Sequence, residues 1–347
     1  MSSIANELSI IPNILIVDDQ LPNLQVLATI LKERNYKVRK AINGQVAINT
    51  IEKEAPDLIL LDIKMPDMDG YEICQYLKSN PETKDIPVIF ISALNGVLDK
   101  VKAFGVGSVD YITKPFHEEE VIARVNNQLT IRNLQKKSDR LLLNILPQSI
   151  VDRLKQRDLS AAENYCIAES FDCVSILFAD LVGFTEMSAN MPAIELVNLL
   201  NQIFSRFDRL CEDYSVEKIK TIGDAYMAAS GIPIPRTDGA RAIANMALDM
   251  QKIIGSFQVD TPNSLQLRIG INSGPVVAGI IGTRKLSYDL WGDTVNTASR
   301  MESNGIPGKI QVTEQTYHLL KDNFECVERG DIEIKGKGMM KTYFLIQ

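Results

Sequence analysis

The sequence is poor in the residues that bind soft metals or form disulfide bonds. Its 347 residues include only two histidines, His117 and His318, and five cysteines with no C-x-x-C pair among them. So few nitrogen and sulfur ligands argue against a zinc site, and an odd, scattered set of cysteines is typical of reduced thiols packed in a core. Any bound metal is therefore expected to be a hard cation held by carboxylates.

Long apolar runs and an excess of positive charge are also missing. No stretch approaches the roughly 20 apolar residues that cross a bilayer, and the first residues lack the basic-then-apolar pattern of a signal peptide. The formal net charge is -7, whereas binding to a nucleic-acid backbone requires a basic face. We therefore expect a cytoplasmic protein with no transmembrane segment and no nucleic-acid partner.

The chain does contain enough apolar sequence for two folded domains joined by a connector. Hydrophobic residues make up 45% of it, which disfavours disorder. Within residues 12–130, short apolar runs alternate with amphipathic stretches, and the runs are Ile14–Val17, Lys37–Ala41, Leu58–Leu61, Val88–Ile91 and Tyr111–Thr113. Apolar strands between helices are typical of a parallel sheet covered on both faces, so an α/β, flavodoxin-like doubly wound domain is predicted.

Polar side chains stand at the ends of these predicted strands. Asp18 and Asp19 end the first strand, Asp62 the third and Ser92 the fourth, and Lys114 follows the fifth. In a doubly wound sheet these ends face one crevice. Three carboxylates there repel one another unless a divalent cation binds between them. A hydroxyl and an ammonium beside the cation can hold phosphoryl oxygens, with Asp62 as the nucleophile toward phosphorus.

Each of these residues alone also fits a loop, capping or surface ion-pair role, but the set in register favours the site. The pattern resembles the response-regulator receiver domain over about residues 12–130. The resemblance implies that Asp62 accepts a phosphoryl group from a sensor histidine kinase or phosphotransfer protein. It also implies one Mg²⁺ or Mn²⁺ ion at Asp18, Asp19, Asp62 and the Lys64 carbonyl, phosphoryl contacts from Ser92 and Lys114, and Tyr111 as the switch aromatic.

A helical connector is predicted at residues 131–168. Apolar residues recur there at alternating three- and four-residue spacings, namely Ile131, Leu134, Leu141 and Ile145. That spacing is a short coiled-coil signature, and the alternative is a single amphipathic helix docked on its own domain. Pro147 is expected to break or kink the helix.

Residues 169–347 are predicted to form an α+β domain. The expected elements are strand Cys173–Ala179, helix Ala193–Tyr214, strands Glu217–Thr221 and Ala225–Ser230, helix Asp238–Ile254 and strand Gln266–Asn272. This order is the ferredoxin-like motif with a crossing extension.

Two carboxylates stand at strand ends in this second domain. Asp180 ends an apolar strand, and Asp224 lies in the turn between the next two strands. Since the first strand of a ferredoxin-like sheet lies beside that hairpin, both carboxylates can reach one point. There they can bridge two ions for in-line phosphoryl displacement, although each alone also fits a turn residue. A helix beginning near Phe184-Thr185, after Gly183, would offer free N–H groups to a triphosphate.

Lys220 and Asp289 form a donor and acceptor pair. Lysine only donates and ionised aspartate only accepts, which matches the N1 acceptor and N6 amino donor of adenine. Guanine inverts both polarities, and a buried mismatch of that kind is strongly rejected. The same two residues also fit a plain surface ion pair.

Three further polar residues are placed to hold phosphates. Asn296 and Arg300 are one helical turn apart and share a face, where Arg300 can hold oxygens of the α-phosphate and Asn296 can orient the ribose. Lys335 lies in a glycine-punctuated stretch and would reach the terminal phosphates.

These segments closely resemble the class III nucleotidyl cyclase catalytic domain from about Phe171 to Gln347. The resemblance implies conversion of ATP to cyclic AMP and pyrophosphate with two Mg²⁺ or Mn²⁺ ions per site. It implies metal ligands Asp180, Asp224 and the Leu181 carbonyl, transition-state residues Asn296 and Arg300, and Lys335 as the triphosphate anchor. Guanylate-specific members typically carry Glu and a small Cys-like residue where this chain has Lys220 and Asp289. It further implies a head-to-tail homodimer, with metal ligands from one protomer and the other site residues from its twin.

The expectation is thus an adenylate cyclase controlled by phosphorylation of a receiver domain. Two rivals share the fold: a guanylate cyclase, and a non-catalytic nucleotide-binding signalling dimer. The intact Asp180, Asp224, Asn296 and Arg300 argue against the second rival. A DNA-binding response regulator is disfavoured by the acidic balance and by the missing helix-turn-helix pattern.

Overall fold

The structure is a computed structural model that describes residues 11–93, 102–156, 166–257, 265–282 and 285–346. The chain divides into two compact units, residues 1–141 and residues 142–347. Within the described ranges, no helix combines the length and the apolar content that a bilayer crossing requires.

The first unit is built on five parallel strands. Its elements are β1 (Asn13–Val17), α1 (Leu21–Glu33), β2 (Lys37–Ala41), α2 (Gly44–Lys53), β3 (Leu58–Asp62), α3 (Gly70–Ser79), β4 (Val88–Ser92), β5 (Asp110–Thr113) and α4 (Glu118–Leu143). Residues 102–105 are also helical. The strand order is β2-β1-β3-β4-β5, and every pair is parallel. The predicted flavodoxin-like doubly wound fold is confirmed.

The sheet of this unit has an apolar core on each face. Strands β1, β3 and β4 are buried along their whole length. One face of the sheet packs against α2 and α3, where Leu15 of β1 shares a core with Ile73 of α3. The other face packs against α1 and α4, where Ile16 of β1 shares a core with Val121 of α4. Strand β2 differs, because it lies at the edge of the sheet and buries only Ala41.

Of the predicted connector, residues 131–143 and 148–156 are helical, on either side of Pro147. Residues 157–165 lie outside the described part of the chain, and residues 166–168 are extended instead of helical. Helix α4 ends at Leu143, and α5 (Gln148–Gln156) begins just after the proline. The first half of α4 is docked, through Val121, Val125 and Leu129. The predicted seam residues are exposed: Ile131 by 42%, Leu134 by 63%, Leu141 by 57% and Ile145 by 63%. The apolar docking of α4 on its own unit therefore ends before the predicted connector begins at residue 131, and coiled-coil pairing of the seam stays a prediction.

The second unit contains one mixed, mostly antiparallel sheet. Its strands are β6 (Cys166–Val182), β7 (Glu217–Ile222), β8 (Ala225–Ser230), β9 (Gln266–Ile281), β10 (Tyr288–Trp291), β11 (Ile310–Thr313), β12 (Cys326–Ile334) and β13 (Gly338–Leu345). After α5, its helices are α6 (Phe184–Asn190), α7 (Ala193–Tyr214), α8 (Gly239–Gly255), α9 (Asp293–Ser303) and α10 (Glu314–Leu320). The order is β12-β13-β11-β9-β6-β8-β7, with β10 paired to β9.

Both faces of this sheet are covered. Helices α7 and α8 bury Phe207 and Ile243 in one apolar core. On the other face, the segment around α5 buries Ile150 and Val151 in a core shared with Ile176 of β6. Thus α5, within the predicted connector, packs in the second unit.

Strands β6 and β9 are longer than the sequence predicts. Their pairing runs from Cys166 opposite Ile281 to Val182 opposite Gln266. The apolar pattern of β9 stops at Pro275, which normally ends a strand because it lacks an N–H. Here Pro275 lies opposite a β-bulge in β6, between the paired residues Phe171 and Val174, so the pairing continues past it.

Helix α9 lies against β9 at a glycine. A Cβ atom built on Gly270 would come within 1.9 Å of the Glu302 backbone nitrogen. No side chain fits that space unless the helix moves. Gly270 therefore sets how closely the helix that carries Asn296 and Arg300 approaches the sheet.

We predict that Gly270→Ala destabilises the second unit, because overpacking typically costs about 1–3 kcal/mol. Urea unfolding followed by the fluorescence of Trp291, the only tryptophan, measures this loss. Gly255→Ala is the matched control, since a Cβ there meets nothing within 4 Å. Equal midpoints for the two variants would contradict the close approach of α9.

Candidate active site

The first unit gathers three carboxylates at the carboxyl ends of its strands. Asp18 follows β1 and is 0% exposed, and Asp62 ends β3 and is 4% exposed. Asp19, next to Asp18, is exposed. One oxygen from each of the three lies within 4.8 Å of the others. This all-oxygen donor set fits a hard divalent cation.

Lys114 supplies a positive charge to this cluster. It follows β5, and its Nζ donates to Asp62 Oδ2 at 2.7 Å and to Asp18 Oδ2 at 3.0 Å. Burial raises the pKa of Asp62, against the opposing effect of Lys114. Burial lowers the pKa of Lys114, but the hydrogen bonds to the two carboxylates outweigh it and raise that pKa overall. One ammonium thus faces three carboxylates, which leaves negative charge for a metal ion to balance.

Ser92 and Lys64 lie around the acidic cluster. Ser92 is buried at the end of β4, and its carbonyl oxygen accepts from the backbone N–H of Lys114 at 2.9 Å. Lys64 comes two residues after Asp62, and a backbone hydrogen bond from it lowers the pKa of that carboxyl. Lys64 and Asp19 also line a cavity of about 580 Å³.

Tyr111 is half-buried on β5 and contacts two other elements. Its ring lies edge-on to Phe104, with centroids 6.4 Å apart. The guanidinium of Arg124, on α4, lies 5.3 Å from the ring centroid and donates to Asp110 at 2.6 Å. The aromatic residue thus joins the sheet to the helix that leads out of the unit.

In the second unit, strand register brings Asp180 close to Asp224. Asp180 pairs with Ala225 across β6 and β8, and Asp224 is the residue just before Ala225. Gly223, at φ +63°, allows the tight turn that carries Asp224. Burial raises the pKa of Asp180, and the charge of Asp224 raises it further. The sequence-predicted carboxylates therefore interact, and their oxygens are suited to hard divalent ions.

Arg268 is a member of this group that sequence reasoning missed. It lies opposite Asp180 on β9. Its Nη2 donates to Asp180 Oδ2 at 3.0 Å, and its Nε donates to Glu302 Oε1 at 2.7 Å. Burial raises the pKa of Glu302, which is 9% exposed on α9, while Arg268 lowers it. The only local signal was one charged residue in the apolar run Leu267–Ile271.

Lys220 and Asp289 are in contact within the single chain. They lie on β7 and β10, and Lys220 Nζ donates to Asp289 Oδ2 at 2.5 Å. The side chains are 41% and 22% exposed, so each has room for a further partner. The contact is the donor and acceptor pair predicted for adenine, and by itself it also fits the alternative of a surface ion pair.

The predicted phosphate-binding residues are exposed. Asn296 and Arg300 lie one turn apart on α9, and Lys335 lies in the turn between β12 and β13. Among the described residues, none of the three side chains makes a hydrogen bond or ion pair. Lys337, two residues after Lys335, instead donates to Asp293 at the start of α9.

The predicted phosphate loop follows β6. Gly183 is the N-cap of α6 at φ +80°, and the helix begins at Phe184 as predicted. The ring of Phe184 packs against the core. The side chain of Thr185 lies outside the described residues. Leu181 has a buried side chain, which leaves its backbone carbonyl as the group to contact a metal.

These residues form two groups in the protomer. In the described part of the chain, no hydrogen bond or ion pair links Asp180 or Asp224 to the second group. The second group consists of Lys220, Asp289, Asn296, Arg300 and Lys335.

Comparison with known proteins identifies both units. Residues 166–347 match the family described as adenylate and guanylate cyclase catalytic domain, and residues 14–126 match the response regulator receiver domain. An adenylate cyclase of Mycobacterium bovis is 47% identical over 210 residues, which cover 60% of this chain and 46% of that protein. The rat guanylate cyclase soluble subunit beta-2 is 43% identical over 235 residues, or 66% of this chain and 33% of that protein.

The chain therefore spans less than half the length of these curated relatives. Among solved structures, the guanylate cyclase domain of RhGC from Catenaria anguillulae in complex with GTP is similar, with a TM-score of 0.50 and 38% identity. That likeness covers 51% of this chain and 98% of the solved domain.

We predict that Lys114→Met lowers the unfolding free energy of the first unit by about 3 kcal/mol, because it leaves buried charge unpaired. Mg²⁺ should recover part of the loss by replacing the ammonium. Hydrogen exchange of β1 and β3 peptides measures both effects in the full chain. Lys40→Met, an exposed lysine on β2, is the control. Equal protection of the two variants without Mg²⁺ would refute the shared ion pair.

Proposed function

This chain belongs to the family of adenylate and guanylate cyclase catalytic domains and also has a response-regulator receiver domain; we propose that it converts ATP to 3′,5′-cyclic AMP and pyrophosphate. The observation that carries the choice of ATP is the contact between Lys220 Nζ and Asp289 Oδ2. A purine that approaches this pair meets one pure donor and one pure acceptor. Adenine satisfies both, whereas guanine leaves polar groups unpaired.

Asp180 and Asp224 are the proposed ligands of two Mg²⁺ or Mn²⁺ ions, with the Leu181 carbonyl as a further ligand. Support comes from the strand register that brings the two residues together, where burial and then the charge of Asp224 raise the pKa of Asp180. When bound, such ions lower the pKa of an attacking hydroxyl and neutralise phosphate charge. Arg268 balances the charge of Asp180 in this structure.

The remaining residues act on the nucleotide by position and charge. Arg300 is proposed to hold the α-phosphate oxygens as negative charge grows there, and Asn296 to orient the ribose. Lys335 is proposed to anchor the terminal phosphates, helped by the backbone at Gly183 and Phe184. Asn296 and Arg300 are exposed, and their side chains bond to no described residue, which supports these roles because each has room to meet a ligand.

A head-to-tail homodimer is proposed to complete each site. Within one chain, no described hydrogen bond or ion pair links the two carboxylates to the base and phosphate residues. Two copies related by a twofold axis would place one group opposite the other, twice.

The receiver domain is proposed to control turnover through phosphorylation of Asp62 by a sensor histidine kinase or phosphotransfer protein in the cytoplasm. One Mg²⁺ or Mn²⁺ ion at Asp18, Asp19 and Asp62 would assist that transfer. Support comes from the buried carboxylates and the bound ammonium of Lys114. A phosphoryl group adds charge beside Ser92, and Tyr111 contacts the helix that leaves the unit.

A guanylate cyclase is the second candidate, because relatives of that name reach 46% identity. A non-catalytic signalling dimer is disfavoured, because no required carboxylate, asparagine or arginine has been replaced. Direct assay of the purified chain decides among the three.

We predict that the chain with Mg²⁺ or Mn²⁺ forms cyclic AMP from ATP and far less cyclic GMP from GTP, measured by product chromatography. Asp180→Ala should lower turnover by roughly a hundredfold or more, because it removes a ligand of the catalytic ions. Asp331→Ala, an exposed acid on β12, is the control. Equal or preferred GTP turnover would refute the base argument, and full activity of Asp180→Ala would refute the metal role.

We predict that beryllofluoride, which mimics a phosphoryl group, changes the turnover of the wild type. In Asp62→Asn, the ratio of turnover with and without beryllofluoride should be one, because the acceptor oxygen is missing. Asp67→Asn, an exposed acid nearby, should respond as the wild type does. A response that persists in Asp62→Asn means that another residue is the acceptor.

A further inference from the structure

One ion pair joins the tip of the β12–β13 hairpin to the start of α9. Lys337 Nζ donates to Asp293 Oδ2. The two side chains are 31% and 72% exposed, so the contact contributes little to the core. The function proposed above uses neither residue.

The backbone of the hairpin tip is held in a tight turn. Gly336 and Gly338 have φ of +79° and +73°, a region that strains other residues. The N–H of Lys337 donates to the carbonyl of buried Ile334 at 2.9 Å. The two lysines of the turn therefore differ: Lys337 contacts α9, and Lys335 has no partner among the described residues.

The start of α9 is anchored to the sheet by two hydrogen bonds. Thr294 Oγ1 donates to the Pro275 carbonyl at 2.6 Å, and Asn272 Nδ2 donates to the Thr294 carbonyl at 3.0 Å. Both bonds tie the helix to β9. Asp293 is the first residue of α9, where the helix dipole favours a negative charge. Asp293 thus offers Lys337 a partner on a helix start that is itself bonded to the sheet.

We propose that the Lys337–Asp293 pair is a positioning device that holds Lys335 at a set distance from Asn296 and Arg300. Resting on the proposed function, this inference adds a requirement to it. The terminal phosphates bind to the hairpin and the α-phosphate to the helix, so the nucleotide spans the two elements. A small misplacement between groups that hold one substrate costs catalysis. Lys337 is therefore a positioning residue and touches no substrate.

The direction in which one substitution changes the KM for ATP separates positioning from a direct electrostatic effect. Asp293→Asn removes a negative charge near a triphosphate and frees Lys337. If Lys337 acted directly on phosphate, the KM for ATP would fall or stay constant. Positioning predicts the opposite, a rise of about twofold to fivefold, the factor that corresponds to the strength of an exposed ion pair.

The test compares steady-state KM for ATP and inhibition by tripolyphosphate in four full-length variants. These are Asp293→Asn, Lys337→Met, the double variant and Lys337→Arg. We expect both single variants to weaken ATP and tripolyphosphate by similar factors, the double variant to be no weaker than either, and Lys337→Arg to retain wild-type values. Lys341→Met is the matched control, since Lys341 pairs with Glu328 at 3.0 Å on the same hairpin, away from the tip.

Each outcome decides the matter. A KM in Asp293→Asn at or below the wild-type value overturns the inference alone, as do additive losses in the double variant or equal losses in Lys341→Met. A wild-type chain that cyclises neither ATP nor GTP overturns the proposed function and, with it, this inference.

Discussion

In the second unit, the backbone hydrogen bonds of β6 with its neighbours β8 and β9 place Asp180 opposite both Ala225 and Arg268. Every feature of the carboxylate group depends on that register. A slip by one residue would turn Asp180 to the other face of the sheet and separate it from Asp224. The bulge opposite Pro275 keeps this register while β9 continues past its proline.

Both units partly neutralise a cluster of carboxylates with one side-chain cation. Each collects carboxylates where strands end, and each offers one side-chain cation to them: Lys114 in the first unit and Arg268 in the second. Burial raises the pKa of a carboxyl group in each unit, that of Asp62 in the first and that of Asp180 in the second. The remaining negative charge makes a divalent ion a favourable partner, since hard cations prefer oxygen ligands.

Helix α9 carries or contacts several candidate site residues of the second unit. Its exposed face carries Asn296 and Arg300, while its buried Glu302 holds Arg268 beside Asp180. Its first residue holds the hairpin that bears Lys335. Gly270 allows the helix to lie directly on the sheet. Asp180, the exposed polar residues of α9 and the hairpin tip are thus all tied to one helix.

The sequence by itself determined the strands of the first unit, several elements of the second and most of the candidate site residues. Helix α7 and strands β2 and β8 have the predicted bounds, because apolar periodicity is a local property of the chain. Asp18, Asp62 and Lys114 were found because the ends of parallel strands share one edge.

Only the tertiary structure decided the contacts that join distant segments. Arg268 and Asp180 are 88 residues apart, and no local pattern marks the register that pairs them. The contact of Lys337 with Asp293 and the length of β9 depend likewise on how separate elements pack. Periodicity specifies which face of an element is buried, whereas the identity of its neighbour follows from the whole fold.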